Sequence, residues 1–106
     1  MSAISEKQTI IATLIDLMHA LATGQATAAY AADIKDAISV IAAPQYEGTS
    51  LYAKVVPIRN SIASAISFDN LQLTPPQQAA WEAFRAASQH AYDDYWHGIS
   101  MLKTLI

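Results

Sequence analysis

Helix-breaking residues occupy only a few places in this chain. Glycine occurs at 24, 48 and 98, and proline at 44, 57, 75 and 76. Between those points apolar side chains recur every three or four residues, the repeat that lines one face of an α-helix. No stretch alternates apolar and polar residues for long enough to suggest a strand. A chain with this pattern buries its apolar surface by packing helices side by side. The 106 residues suit one domain, 1–106.

Four helices are expected. The first, 6–23, opens at Ser5 and Gln8, the spacing of a capping box. Ile11, Leu14, Ile15, Met18, Leu21 and Ala22 form its stripe, and Gly24 is expected to stop it in a left-handed conformation. The second, 27–42, carries Tyr30, Ile34, Ile38 and Ile41 and ends at Pro44. The third, 50–67, aligns Leu51, Val55, Ile58, Ile62 and Ile66, with Pro57 inside the pattern. That proline removes one N–H and crowds the Ala53 carbonyl, so the helix either kinks or restarts near Val56; the unbroken stripe favours a kink.

The sharpest local signal is Thr74-Pro75-Pro76-Gln77. Thr74 is an N-cap, Pro75 takes the first helical position, where its missing N–H costs nothing, and Gln77 completes the box. Trp81, Phe84, Ser88, Ala91, Tyr92, Tyr95, Ile99 and Leu102 continue the stripe. Gly98 weakens the end, which predicts a helix over 75–97 and a tail over 98–106. Short links imply antiparallel neighbours, so the expected fold is all-α: an antiparallel up-down four-helix bundle with a C-terminal tail.

Composition excludes several kinds of chemistry. Six Lys and Arg against nine Asp and Glu give a net charge of -3, without the basic stripe that nucleic acid requires. Cysteine is absent, which removes disulfides and thiolate chemistry. The N-terminal segment lacks the pattern of a signal peptide, and the apolar run from Ile10 to Ala22 is too short and too polar to span a bilayer. A cytoplasmic protein is the expectation, with peripheral membrane contact at most.

Each candidate for catalysis has a simpler reading. His90, Asp93, Asp94 and His97 place two His–Asp pairs at i,i+4, a spacing open to a divalent metal, yet a zinc site would normally draw a ligand from another element, and a solvated helix face is the reading preferred. His19 is a conceivable phosphoryl acceptor, but a partly buried boundary histidine accounts for it. The serines lack a Gly-x-Ser-x-Gly elbow. Asp93 and Asp94 point to different helix faces, and the glycines are too isolated for a phosphate loop. No catalytic residue, cofactor or metal site is therefore assigned, and the chain is read as a non-enzyme.

The aromatic and apolar end of the chain is more informative. Tyr92, Tyr95 and Ile99 fit the core stripe. Trp96 sits about 100° around the helix from Tyr95, at the edge of that stripe. Tyr and Trp combine a large apolar area with a polar handle, which suits interfaces. Tyr92, Tyr95, Trp96, His97, Ile99, Met101 and Leu102 are accordingly the candidate partner-binding residues; the alternative is a tail that folds back over the bundle.

The run from Lys54 to Ile66, the link from Phe68 to Thr74, and the following Pro-Pro-Gln-Gln-Ala-Ala-Trp-Glu-Ala-Phe resemble the immunity proteins of pediocin-like bacteriocins, the enterocin A immunity family. Ser5-Glu6-Lys7 and Leu14-Ile-Asp-Leu also fit, and the aligned core is Val55, Val56, Ile58, Ile62, Leu71, Leu73, Thr74 and Phe84. The chain departs from many members in being slightly acidic and in carrying Pro57.

The resemblance implies a cytoplasmic bundle that protects a bacterium from a pore-forming peptide. It would do so by binding the mannose phosphotransferase permease with its bound bacteriocin, through the C-terminal half, as a monomer or weak homodimer. Two other readings stay open. One is a helical phosphotransfer carrier with a phosphorylatable histidine. The other is a self-associating helical adaptor or phage accessory protein.

Overall fold

The computed structural model describes the backbone of residues 6–105 and the side chains of residues 6–94. It contains α1 (Glu6–Ala22), α2 (Ala28–Ile41), α3 (Thr49–Phe68) and α4 (Pro75–Leu105), with no strand among the described residues. α1 packs against α2 and α4, and α3 closes the ring against the same two helices. At the start of α1, Lys7 Nζ donates to the Ala43 and Tyr46 carbonyls just past the end of α2, both at 2.8 Å. At the other end of α1, Gln77 Nε2 in the first turn of α4 donates to the Ala20 carbonyl at 3.1 Å. Tyr52 near the start of α3 lies beside His90, whereas Ile66 and Ser67 near its end share a cleft with Trp81 and Arg85. The expected antiparallel up-down bundle is the fold.

The core face of α1 is rotated from the expected stripe. Ile10, Leu14, Leu17 and Leu21 have no exposure, while Ile11, Ile15 and Met18 are half-buried and Ala22 is exposed. From Ile10 to Ala22 every residue but Thr13, Asp16 and His19 is apolar, so composition alone cannot choose between adjacent faces; contact with both α2 and α4 does. Ala31, Ile34 and Ile41 of α2, Leu51, Val55, Val56, Ile62 and Ala65 of α3, and Trp81, Phe84 and Ala91 of α4 complete the buried apolar set among the described residues.

α3 is continuous through Pro57, so the proline does not split it. Pro57 and Ala53 both lie on the exposed side, where water can take the carbonyl left without a donor. The helix ends at Phe68: the Asp69 N–H makes the last i→i−4 bond, to the Ala65 carbonyl at 3.1 Å, and Asn70, with φ 59°, turns the chain so that the Leu71 N–H reaches the same carbonyl at 3.0 Å.

α4 corrects the expected tail. The helix runs through Gly98 to Leu105 instead of ending near 97. One glycine costs a helix only about 1 kcal/mol, which does not outweigh good helix formers on either side. Glu6 meets His90, so residues 91–105, about 22 Å of helix, continue past the first described residue of α1.

Gly24 also differs from expectation. It does not have a positive φ; Gly48 does, with φ 56° and ψ -128° ahead of α3, a conformation closed to residues with a side chain. Glycine is needed at 24 for space, because a Cβ there would lie 2.5 Å from Thr27 Oγ1 and 3.1 Å from Gln77 Nε2. Thr27 is buried, and its hydroxyl donates to the Leu21 carbonyl. Gly24→Ala should therefore destabilise the fold by about 1–3 kcal/mol through this clash. The exposed neighbour Gln25→Ala should remain within about 0.5 kcal/mol of the parent. Urea unfolding midpoints compare the two directly, and equal effects would remove the steric explanation.

Candidate functional site

Two clusters of polar side chains lie along α4, and both join residues far apart in sequence. The first sits where α1, α3 and α4 meet. Tyr52 Oη donates to Glu6 Oε1 at 2.5 Å, and His90 Nδ1 lies 2.7 Å from Glu6 Oε2. The Tyr52 and His90 rings meet edge-on, with centroids 6.1 Å apart. The Glu6 carboxylate thus links three helices. His90 pairs with Glu6 here, rather than with Asp94 one turn along its own helix as the sequence spacing suggests.

The hydrogen bond to Glu6 pushes the Tyr52 hydroxyl up to about 12, with burial and the charges of Glu6 and Asp94 acting in the same direction. A raised folded value means that the neutral phenol is the form that stabilises the fold. Its contribution is complete below about pH 10, the unfolded value, and is lost as pH rises through about 12. The stability difference between the parent and Tyr52→Phe should accordingly be constant near neutrality and shrink above pH 10. Chemical denaturation of both proteins across that range tests it; a difference that does not change with pH would show that the hydroxyl does not titrate in this way.

The second cluster is a cleft of about 450 Å³ between α3 and α4, lined by Arg59, Asn60, Ala63, Ile66 and Ser67 from one side and Trp81, Arg85, Gln89 and Tyr92 from the other. Arg59 is only 7% exposed. Its guanidinium lies 4.3 Å from the Tyr92 ring centroid and its Nη2 donates to Gln89 Oε1 at 2.7 Å, but its buried Nη1 has no hydrogen-bond partner. Gln89 Nε2 in turn donates to Asp93 Oδ1 at 2.9 Å. Arg85 stands over the Trp81 ring, 5.8 Å from its centroid. Burial, and then repulsion from Arg85, lower the pKa of Arg59, opposed by Tyr92 and Asp93. The lining offers guanidinium, amide and hydroxyl donors.

Of the residues singled out in the sequence, Tyr92 is half-buried in this cleft beneath Arg59. Tyr95, Trp96, His97, Ile99, Met101 and Leu102 lie on the α4 backbone, and their side chains fall outside the described residues, as does Ser5 of the expected capping box. His19, expected to be partly buried, is exposed in the last turn of α1, where the stripe's rotation carries it to the outer face. Among the described residues no group of three or more His, Asp and Glu is placed to hold a metal ion.

Arg59, Arg85, Glu6 and Tyr52 were not singled out by sequence reasoning, although one signal was present. Arg59 falls four residues after Val55 and three before Ile62, on the buried stripe, where a cation needs partners from another helix.

The molecule is thus an all-α four-helix bundle with a donor-rich cleft on its α3–α4 face. No protein-family model, no curated protein and no solved structure matches the chain. Among the described residues no helix is long and apolar enough to cross a membrane.

Proposed function

We propose that this protein acts by binding, as a cytoplasmic immunity protein of the kind that guards a bacterium against pediocin-like bacteriocins. Its partner is then the mannose phosphotransferase permease with bacteriocin attached, met at the inner membrane surface by the C-terminal end of α4. The reading draws its partner from the resemblance over Lys54 to Phe84. The observation that supports it best is the run of α4 past the start of α1, which carries Tyr95, Trp96, His97, Ile99, Met101 and Leu102 on a continuous helix. A helix reaching beyond its neighbour can enter a groove on a partner with its backbone already ordered, which lowers the entropic cost of association.

Expression in a bacteriocin-sensitive strain should raise survival against at least one peptide of a pediocin-like panel. A truncation after His97 that retains the parent's helical circular dichroism should abolish the protection. Sensitivity equal to the empty strain across the whole panel would overturn the reading. The exposure of His19 and His90 favours one alternative, a phosphotransfer carrier. That alternative predicts labelling of one of these histidines by an upstream phosphocarrier, which an immunity protein would not show.

A further inference from the structure

We propose that the cleft between α3 and α4 is a binding site for a small-molecule oxyanion, a phosphoryl or carboxyl group carried on a compact apolar body.

The chain holds two arginines, Arg59 and Arg85, and both line this one cleft. Gathering like charges is unfavourable, more so for a guanidinium withdrawn from water, and a fold that tolerates it normally supplies an anion. Neither arginine forms an ion pair among the described residues, whose ion pairs are Lys7–Glu47 and Glu6–His90. The charged groups that act on Arg59 are Arg85, which repels it, and Asp93, which is held by Gln89.

The position of Arg59 gives a second and independent reason. It is more than nine-tenths buried and fixed at two points, by stacking on Tyr92 and by the bond to Gln89, while Nη1 remains without a partner. A buried charged donor left unpaired is unfavourable, so the guanidinium that lines this cleft keeps a hydrogen-bonding capacity that no group among the described residues satisfies. Two guanidiniums suit oxyanions because each presents paired N–H groups at the spacing of carboxylate or phosphoryl oxygens.

Around them, Asn60 and Ser67 add an amide and a hydroxyl from the exposed rim, and Ala63 and Ile66 offer apolar contact for the body of the ligand. The volume of about 450 Å³ falls within the range of small-molecule sites. Tyr92 lies both in this cleft and at the base of the α4 extension, whereas the test of the cleft is independent of bacteriocin protection.

Phenyl phosphate and benzoate serve as probes, one for each source of the oxyanion. Titrated into the full chain carrying Trp96→Phe, either should change Trp81 emission saturably, because Arg85 lies over that ring. The same probe should raise Tm in proportion to its occupancy. Tighter binding of phenyl phosphate would assign the site to a phosphoryl group and tighter binding of benzoate to a carboxyl group; both results support the proposal. Arg85→Gln should weaken binding at least about tenfold, as expected for loss of a charge-assisted pair. Arg85 is exposed, so this variant keeps the fold even where Arg59→Gln does not. Absence of saturable binding by both probes would overturn the proposal, as would unchanged affinity in Arg85→Gln.

Discussion

Phe84→Ala is expected to produce the largest loss of stability of any single truncation in the bundle, about 3–5 kcal/mol. Phe84 has no exposure and is the largest fully buried side chain among the described residues. Its ring lies 6.0 Å from that of Trp81, which is itself 4% exposed. Removing it both forfeits the transfer of an aromatic ring from water and leaves a cavity that the surrounding helices cannot close without shifting. For a domain of this size each kcal/mol moves Tm by about 4–8 °C, so a fall of roughly 12 °C or more should be visible by circular dichroism. Phe68, 84% exposed at the end of α3, provides the control: Phe68→Ala should change Tm little. Equal losses for the two would mean that Phe84 is not packed in the core.

Gln77→Ala should cost about 2–3 kcal/mol, well beyond what a helix cap ordinarily contributes. Its Oε1 accepts the Thr74 N–H at 2.9 Å, and its own N–H meets Thr74 Oγ1 at 3.4 Å, which is the expected capping box. The other end of the same amide donates to the Ala20 carbonyl at 3.1 Å and to Thr27 Oγ1 at 3.3 Å. The residue is 3% exposed, so the substitution strands acceptors in the turn between α1 and α2 where water cannot easily replace the donor. Gln78→Ala should cost a few tenths of a kcal/mol, since Gln78 is exposed and reaches only Glu82 on its own helix. A Gln77→Ala effect no larger than that of Gln78→Ala would show that the cross-helix bonds contribute nothing.

Both positions also show where sequence patterns are informative. Phe84 was legible as core because it continues an i, i+3, i+4 stripe from Trp81, and the capping role of Gln77 was legible from its spacing to Thr74. The bonds from Gln77 to Ala20 and Thr27 span 57 and 50 residues, and no local pattern announces them. Gly24 is a related case. A glycine after a helical stripe suggests a left-handed stop, yet the residue is required because the first turn of α4 and Thr27 leave no room for a side chain.

What could be read from the linear order depends on neighbours within about four residues. The four helices, the Thr74–Gln77 cap, the proline at the first position of α4 and the all-α class follow from the spacing of apolar, capping and helix-breaking residues. Tertiary structure decided the remainder. Packing against two neighbours selected Ile10, Leu14, Leu17 and Leu21 as the core face of α1 from several possible faces. Antiparallel docking of α3 on α4 brought Arg59 and Arg85 into one cleft, and the meeting of three helices joined Glu6, Tyr52 and His90. Helix formation is governed by short-range geometry, and the sequence carries that on its face. Which side chains meet across helices depends on each helix's rotation and axial position, set only when every apolar face is buried at once.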